Sequence, residues 1–100
     1  MRFMCVGTWR DVGEEGQRRM LEVFENWKPP TGLQFVHRWV TPAGMDFMVV
    51  DVESTEVLAE AVANWAPFIA YAVHPITEAE TAFPGLKRAV LARVSMAGSR

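Results

Sequence analysis

The chain has 100 residues, of which half are apolar, with four tryptophans and six phenylalanines. This length fits one domain, and so apolar a composition excludes a disordered chain. A net charge of −2 disfavours a nucleic-acid-binding protein, which normally has a basic face. With Cys5 as its one cysteine, the chain can form neither an internal disulfide nor a zinc site built from thiolates.

The first third of the chain predicts a strand and then a helix. Residues 2–9 are a short, mostly apolar run that is typical of a strand. Residues 14–28 change period, because Met20, Phe24 and Trp27 recur at helical spacing with charged residues between them. Two consecutive prolines end this predicted amphipathic helix.

A hairpin of two strands is predicted next, over residues 33–41 and 45–52, joined by a short connection containing proline and glycine. Simple alternation divides the first of these strands into two faces. One face would carry Leu33, Phe35, His37 and Trp39, and the other Gln34, Val36, Arg38 and Val40.

The last part of the chain predicts a helix, a strand and a C-terminal helix. Ser54 is a good N-cap for a helix whose apolar stripe ends at Trp65, near Pro67. Residues 68–76 predict a fourth strand, and residues 86–96 predict a C-terminal helix as an appendage after Pro84 and Gly85. No repeat or linker interrupts residues 1–100, so we expect one domain.

The order strand, helix, strand, strand, helix, strand predicts an α+β, ferredoxin-like βαββαβ fold. Right-handed crossovers would place both helices on one face of a four-stranded antiparallel sheet, in strand order 4-1-3-2. The uncovered face of such a sheet is normally polar in a monomer. Here the predicted strands are apolar on both faces, as in Met4 and Val6 against Phe3 and Cys5.

A second apolar face needs a cover, and the sequence leaves two ways to supply it. The simplest is a homodimer formed sheet to sheet, because two-fold pairs dominate soluble oligomers. Each subunit would bury roughly 600–800 Å² of surface in this way. The alternative is that the C-terminal helix folds back over the same face.

Several short segments resemble a small bacterial family, domain of unknown function 3303, within the dimeric α/β-barrel superfamily. They are Phe3-Met4, Thr8-Trp9, Arg38-Trp39, Phe47-Met48-Val49-Val50, Trp65 and Val73-His74-Pro75. The likeness covers most of residues 3–76 and implies the fold and the dimer, but no reaction. A histidine often follows the Arg-Trp pair in this family. This chain has Val40 there, and His37 does not replace it, because it lies an odd number of residues away, on the opposite face.

The two histidines, His37 and His74, are the candidate catalytic residues, because either could act as a general base near neutral pH. The alternative is that each is a structural strand residue. On opposite edges of the predicted sheet they would lie roughly 14 Å apart, so we expect no metal site within one chain. Across a dimer, the two could approach each other.

The candidate ligand-binding residues are aromatic or basic. Trp9 and Trp39, near predicted strand ends, could wall a cleft between the sheet and the helices, or could fill the core or an interface. Arg38 could clamp a carboxylate or pair with Asp46 across the hairpin. Trp65 and Tyr71 complete this set, although Trp65 also fits a core position.

Two functions remain open from the sequence. The first is binding of an apolar or aromatic small molecule in the cleft, with or without cofactor-independent oxygenase or isomerase chemistry. The second is a non-catalytic homodimer that interacts with or regulates another component. We expect no cofactor, no nucleic acid and no membrane partner, and a cytoplasmic location. The sequence does not decide whether the protein is an enzyme.

Overall fold

The computed structural model describes residues 1–98 and contains seven elements. In chain order they are β1 (Arg2–Trp9), α1 (Gly13–Asn26), β2 (Leu33–Thr41), β3 (Met45–Val52), α2 (Thr55–Trp65), β4 (Ile69–Pro75) and α3 (Ala79–Gly98). The predicted βαββαβ order followed by a C-terminal helix is therefore confirmed. Ser54 caps α2 as expected, since its hydroxyl accepts a hydrogen bond from the Val57 amide at 3.3 Å.

The four strands form one antiparallel sheet in the order β2-β3-β1-β4. This order confirms the ferredoxin-like α+β fold and places β2 and β4 at opposite edges. The core lies between the helices and one face of the sheet. Its central members are buried apolar residues from β1, β3 and α2, namely Cys5, Met48, Val50, Val52 and Leu58. Burying a side chain of this kind stabilises the fold by about 1.5–3 kcal/mol.

The sheet surface opposite the helices, called the open face below, is also apolar. Strand register assigns to its centre Met4, Val6, His37, Trp39, Phe47, Val49, Ala72 and His74. The prediction that both faces of these strands are apolar is therefore confirmed for β1, β3 and β4. None of α1, α2 and α3 covers this face.

One predicted face assignment, in β2, is wrong. A β-bulge between Phe35 and His37 inserts Val36 as an extra residue opposite β3. Simple alternation fails at such a point, because the extra residue shifts every later side chain to the other face. Phe35 therefore faces the helices, as does Arg38, whereas His37 lies on the open face.

The C-terminal helix is longer than predicted and projects from the rest of the molecule. α3 begins at Ala79 and continues through Pro84, where the prediction placed a break. Pro84 is the sixth residue of α3, so it removes the backbone hydrogen bond to the Glu80 carbonyl and its ring crowds that carbonyl. Every residue from Phe83 to Gly98 is exposed. The long axis of 61 Å and the radius of gyration of 18.3 Å, against about 13 Å for a compact chain of this length, reflect this projection.

A candidate ligand cleft beneath the first helix

A cleft of about 370 Å³ lies between α1 and one end of the sheet. The sheet contributes Trp9, Arg38, Val40, Asp46 and Ile69, and the helices contribute Met20, Leu21, Phe24 and Trp65. Most of these side chains are apolar, so water in the cleft makes few hydrogen bonds. A second cavity, of about 30 Å³, lies deeper in the core beside Cys5 and Tyr71, and Arg38 and Trp65 line both.

Asp46 is the most deeply buried polar residue of the cleft, with only 1% of its surface exposed. Its Oδ2 accepts a hydrogen bond from the Tyr71 hydroxyl at 2.9 Å and another from the Arg38 Nη2 at 3.3 Å. Its Oδ1 is buried and has no hydrogen-bond partner among residues 1–98. A buried carboxylate oxygen without a partner is unfavourable. Asp46 lines the cleft, so a donor that enters there can satisfy Oδ1 once it displaces the side chains that enclose this oxygen.

The contact between Tyr71 and Asp46 spans two strand spacings and depends on Gly7. On the helix-facing side, Gly7 of β1 lies directly between Asp46 of β3 and Tyr71 of β4. A Cβ at Gly7 would lie 2.7 Å from both the Tyr71 Cε1 and the Ile69 Cγ2. Because glycine has no Cβ, the tyrosine ring occupies that space, which lets its hydroxyl reach the carboxylate.

Arg38 is held by two aromatic rings as well as by Asp46. Its guanidinium carbon lies 5.4 Å from the ring centre of Phe24 and 5.5 Å from that of Phe35. Both distances fit cation–π contacts, and the bulge in β2 is what brings Phe35 and Arg38 to the same face. The Arg38 side chain remains 30% exposed, whereas that of Asp46 is 1% exposed, so solvent reaches the ion pair from the arginine side only.

Two other ionisable groups near the cleft are held in their neutral forms. Burial raises the pKa of Tyr71 far above its ordinary value, and the negative charge of Asp46 and the hydrogen bond to it add to the effect. Burial also raises the pKa of the Cys5 thiol, with a smaller contribution from Asp46. Tyr71 is therefore a hydrogen-bond donor at neutral pH, and Cys5 is not a thiolate nucleophile.

The structure brings together three of the predicted ligand-binding residues, Trp9, Arg38 and Trp65, in the cleft. Trp65 is 4% exposed and packs edge to face against Trp27, with ring centres 5.4 Å apart. It therefore belongs to the core and to the cleft wall at once. Tyr71 lies beside the cleft and acts on it through Asp46.

The remaining predicted site residues, Trp39 and the two histidines, lie on the open face. Trp39 stacks on His37 with ring centres 5.1 Å apart and an interplanar angle of 18°. Strand register places His37 and His74 at the two ends of one row, with Val49 and Met4 between them. Three strand spacings separate the histidines, roughly 14 Å. Neither lines the cleft.

The sequence interpretation missed three residues that shape the cleft. The sequence places Phe24 only on a helix stripe, although it both walls the cleft and holds Arg38. The sequence offers Asp46 only as a partner of Arg38 across the hairpin, yet a carboxylate on the same strand face as Met48 and Val50 indicates a buried polar group. A glycine inside an apolar strand indicates that another group approaches the backbone closely, and Gly7 is such a glycine.

Residues 1–90 match a family model described as a domain of unknown function, DUF3303. The chain belongs to the DUF3303 family. The match extends beyond the residues that carry the sequence resemblance, through β4 and into α3. No curated protein shows significant similarity to this DUF3303 chain.

Two further findings bear on the kind of site present. Within residues 1–98, no group of three or more His, Cys, Asp and Glu side chains is arranged to hold a metal ion. Across the same residues, no helix combines the length and the apolar character needed to cross a membrane.

Proposed function

We propose that this DUF3303 domain binds a small molecule with an apolar or aromatic body in the cleft beneath α1. The observation that carries the proposal is Asp46, a carboxylate with one unpartnered oxygen in a cleft that is otherwise almost entirely apolar. Ligand sites commonly combine apolar walls with a few polar groups that fix orientation. A cleft of about 370 Å³ lies within the range of such sites.

The proposed activity is binding of the ligand, without a histidine that acts on it as a general base. Proton transfer needs a base within hydrogen-bond reach of the substrate, directly or through one water. His37 and His74 lie on the open face, on the other side of the sheet from the cleft. The charged groups that line the cleft are Arg38 and Asp46, and these two are paired with each other.

Removing one wall of the cleft tests this function. We expect titration calorimetry with naphthol, a flat aromatic probe, to show saturable binding that Phe24→Ala weakens about tenfold, because the ring's contact area is lost. Phe83→Ala is the matched control, since Phe83 on α3 is 62% exposed and Phe24 is 57% exposed. Equal losses in the two variants, or no saturable heat with the unchanged protein, would contradict the proposal.

A second proposal, association with a copy of itself, concerns the open face. Its support is that each of the four strands places apolar side chains at the centre of this face, and that α3 does not bury them, since every residue from Phe83 to Gly98 is exposed. Its area, roughly 600–800 Å² per subunit, approaches the 800 Å² per partner of a standard stable interface.

A cytoplasmic location of the protein stays a prediction.

A further inference from the structure

The chemistry around Asp46 restricts which ligand the cleft can hold, and the inference drawn from it rests on the proposed function. The two oxygens of this carboxylate have different surroundings. Oδ2 is satisfied by Tyr71 and Arg38, whereas Oδ1 has no partner among residues 1–98. A carboxylate oxygen only accepts hydrogen bonds, so the group that satisfies Oδ1 must be a donor.

The charge of the cleft points to a neutral donor. Arg38 already compensates the negative charge of Asp46, and its guanidinium lies against the rings of Phe24 and Phe35. A ligand carboxylate would therefore meet an arginine already engaged and an unpaired carboxylate oxygen that repels it. A ligand ammonium would meet the positive charge of Arg38 beside the acceptor.

We infer that the ligand is a neutral molecule with an aromatic or apolar body and a hydroxyl or N–H group that donates to the Oδ1 of Asp46. The apolar walls hold the body of the ligand, and the donor fixes its orientation. A ligand without a donor buries the same apolar area but leaves Oδ1 unsatisfied. A site built to receive a hydrogen bond discriminates against such analogues.

Three naphthalenes substituted at the same carbon test the inference on the unchanged protein: naphthol, methoxynaphthalene and naphthoate. They share one ring system and differ in whether the group donates, only accepts, or is anionic. We expect naphthol to bind about tenfold tighter than methoxynaphthalene, because only naphthol can satisfy Oδ1. We expect naphthoate to bind most weakly of the three.

The variant Asp46→Asn tests the same inference from the protein side. With its amide oxygen accepting from Tyr71 and Arg38, the asparagine would place its NH₂ group, a donor, where Oδ1 lies in the parent. The preference for naphthol over methoxynaphthalene should then disappear. Naphthoate should gain affinity, since the negative charge is gone and Arg38 is uncompensated. Near-ultraviolet circular dichroism of the tryptophans checks that the variant is folded.

The outcomes separate the inference from the function on which it rests. Equal affinities for the three compounds, or tightest binding of naphthoate, would overturn the inference while leaving the cleft as a binding site. Absence of binding by all three would overturn both. The comparison on the unchanged protein decides between these results even if Asp46→Asn does not fold.

Discussion

At the scale of single residues, Gly7 determines whether Tyr71 can reach Asp46. We expect Gly7→Ala to lower the free energy of unfolding by about 1–3 kcal/mol, because the new methyl group overlaps the Tyr71 ring and the Ile69 side chain at 2.7 Å. Urea denaturation followed by tryptophan fluorescence measures this loss.

Gly85→Ala is the matched control, since a Cβ there meets only the end of the Arg88 side chain, at 3.8 Å. Alanine is also a better helix former than glycine, so this change in α3 should not reduce stability. If both substitutions changed the free energy of unfolding equally, the close approach of Tyr71 and Ile69 would not be the reason that glycine occupies position 7.

Tyr71 is the one tyrosine in the sequence, so tyrosinate absorbance reports on it alone. We expect the native protein to show no tyrosinate near the ordinary pKa of 10.0, because burial and the nearby Asp46 raise the pKa in the folded state. Since the folded-state pKa exceeds the unfolded one, this contribution to stability is full below about pH 10 and is lost as the pH rises above it. Ordinary titration near pH 10 by the folded protein would show that the hydroxyl is neither buried nor held beside Asp46.

At the scale of elements, the sequence predicts the strands well because they are short apolar runs and because proline and glycine mark the turns between them. The bounds predicted for β1, β2 and β3 coincide with those observed. The two-residue period of a strand places Met48, Val50 and Val52 of β3 on one face, and these three residues lie together in the core. Strand order followed from the handedness of crossovers, which depends little on individual residues.

The bulge in β2 could not be predicted in the same way. Its extra residue, Val36, is an ordinary strand former, and nothing in its local sequence marks it as unpaired. Its effect is nevertheless large, because it moves His37 and Trp39 away from the face of Phe35. Both residues belong to the predicted site but lie on the open face, so only part of the predicted set lines the cleft.

Asp46 illustrates a different limit of sequence reasoning. Its position in an apolar strand indicates burial, but its partners come from distant parts of the chain. Tyr71 lies 25 residues away, and their contact requires Gly7 on a third strand. Such a cluster follows from the register of three strands, which depends on turn geometry and on the burial of one sheet face and not on any one segment of the sequence.

At the scale of the whole molecule, the open face of the sheet is balanced in charge. Among residues 1–98, the Arg and Asp side chains that strand register assigns to this face are Arg2 and Asp51, at one end. They form an ion pair with the Arg2 Nε and the Asp51 Oδ1 2.8 Å apart. The guanidinium of Arg2 lowers the pKa of Asp51, so the pair is ionised at neutral pH. Two copies of such a face can approach without repulsion between unpaired Arg or Asp side chains.

Self-association through the open face predicts a particle of twice the chain mass of 11.3 kDa in analytical ultracentrifugation. Phe47 lies near the centre of this face and is partly buried within one chain. We expect Phe47→Glu to weaken association roughly a hundredfold or more, because its charge would be buried without a partner in the interface. Phe83→Glu on α3 is the matched control and should leave the dimer intact. If Phe83→Glu dissociated the particle and Phe47→Glu did not, the interface would lie on α3. A monomer at every concentration would contradict self-association and would mean that the open face stays exposed to water.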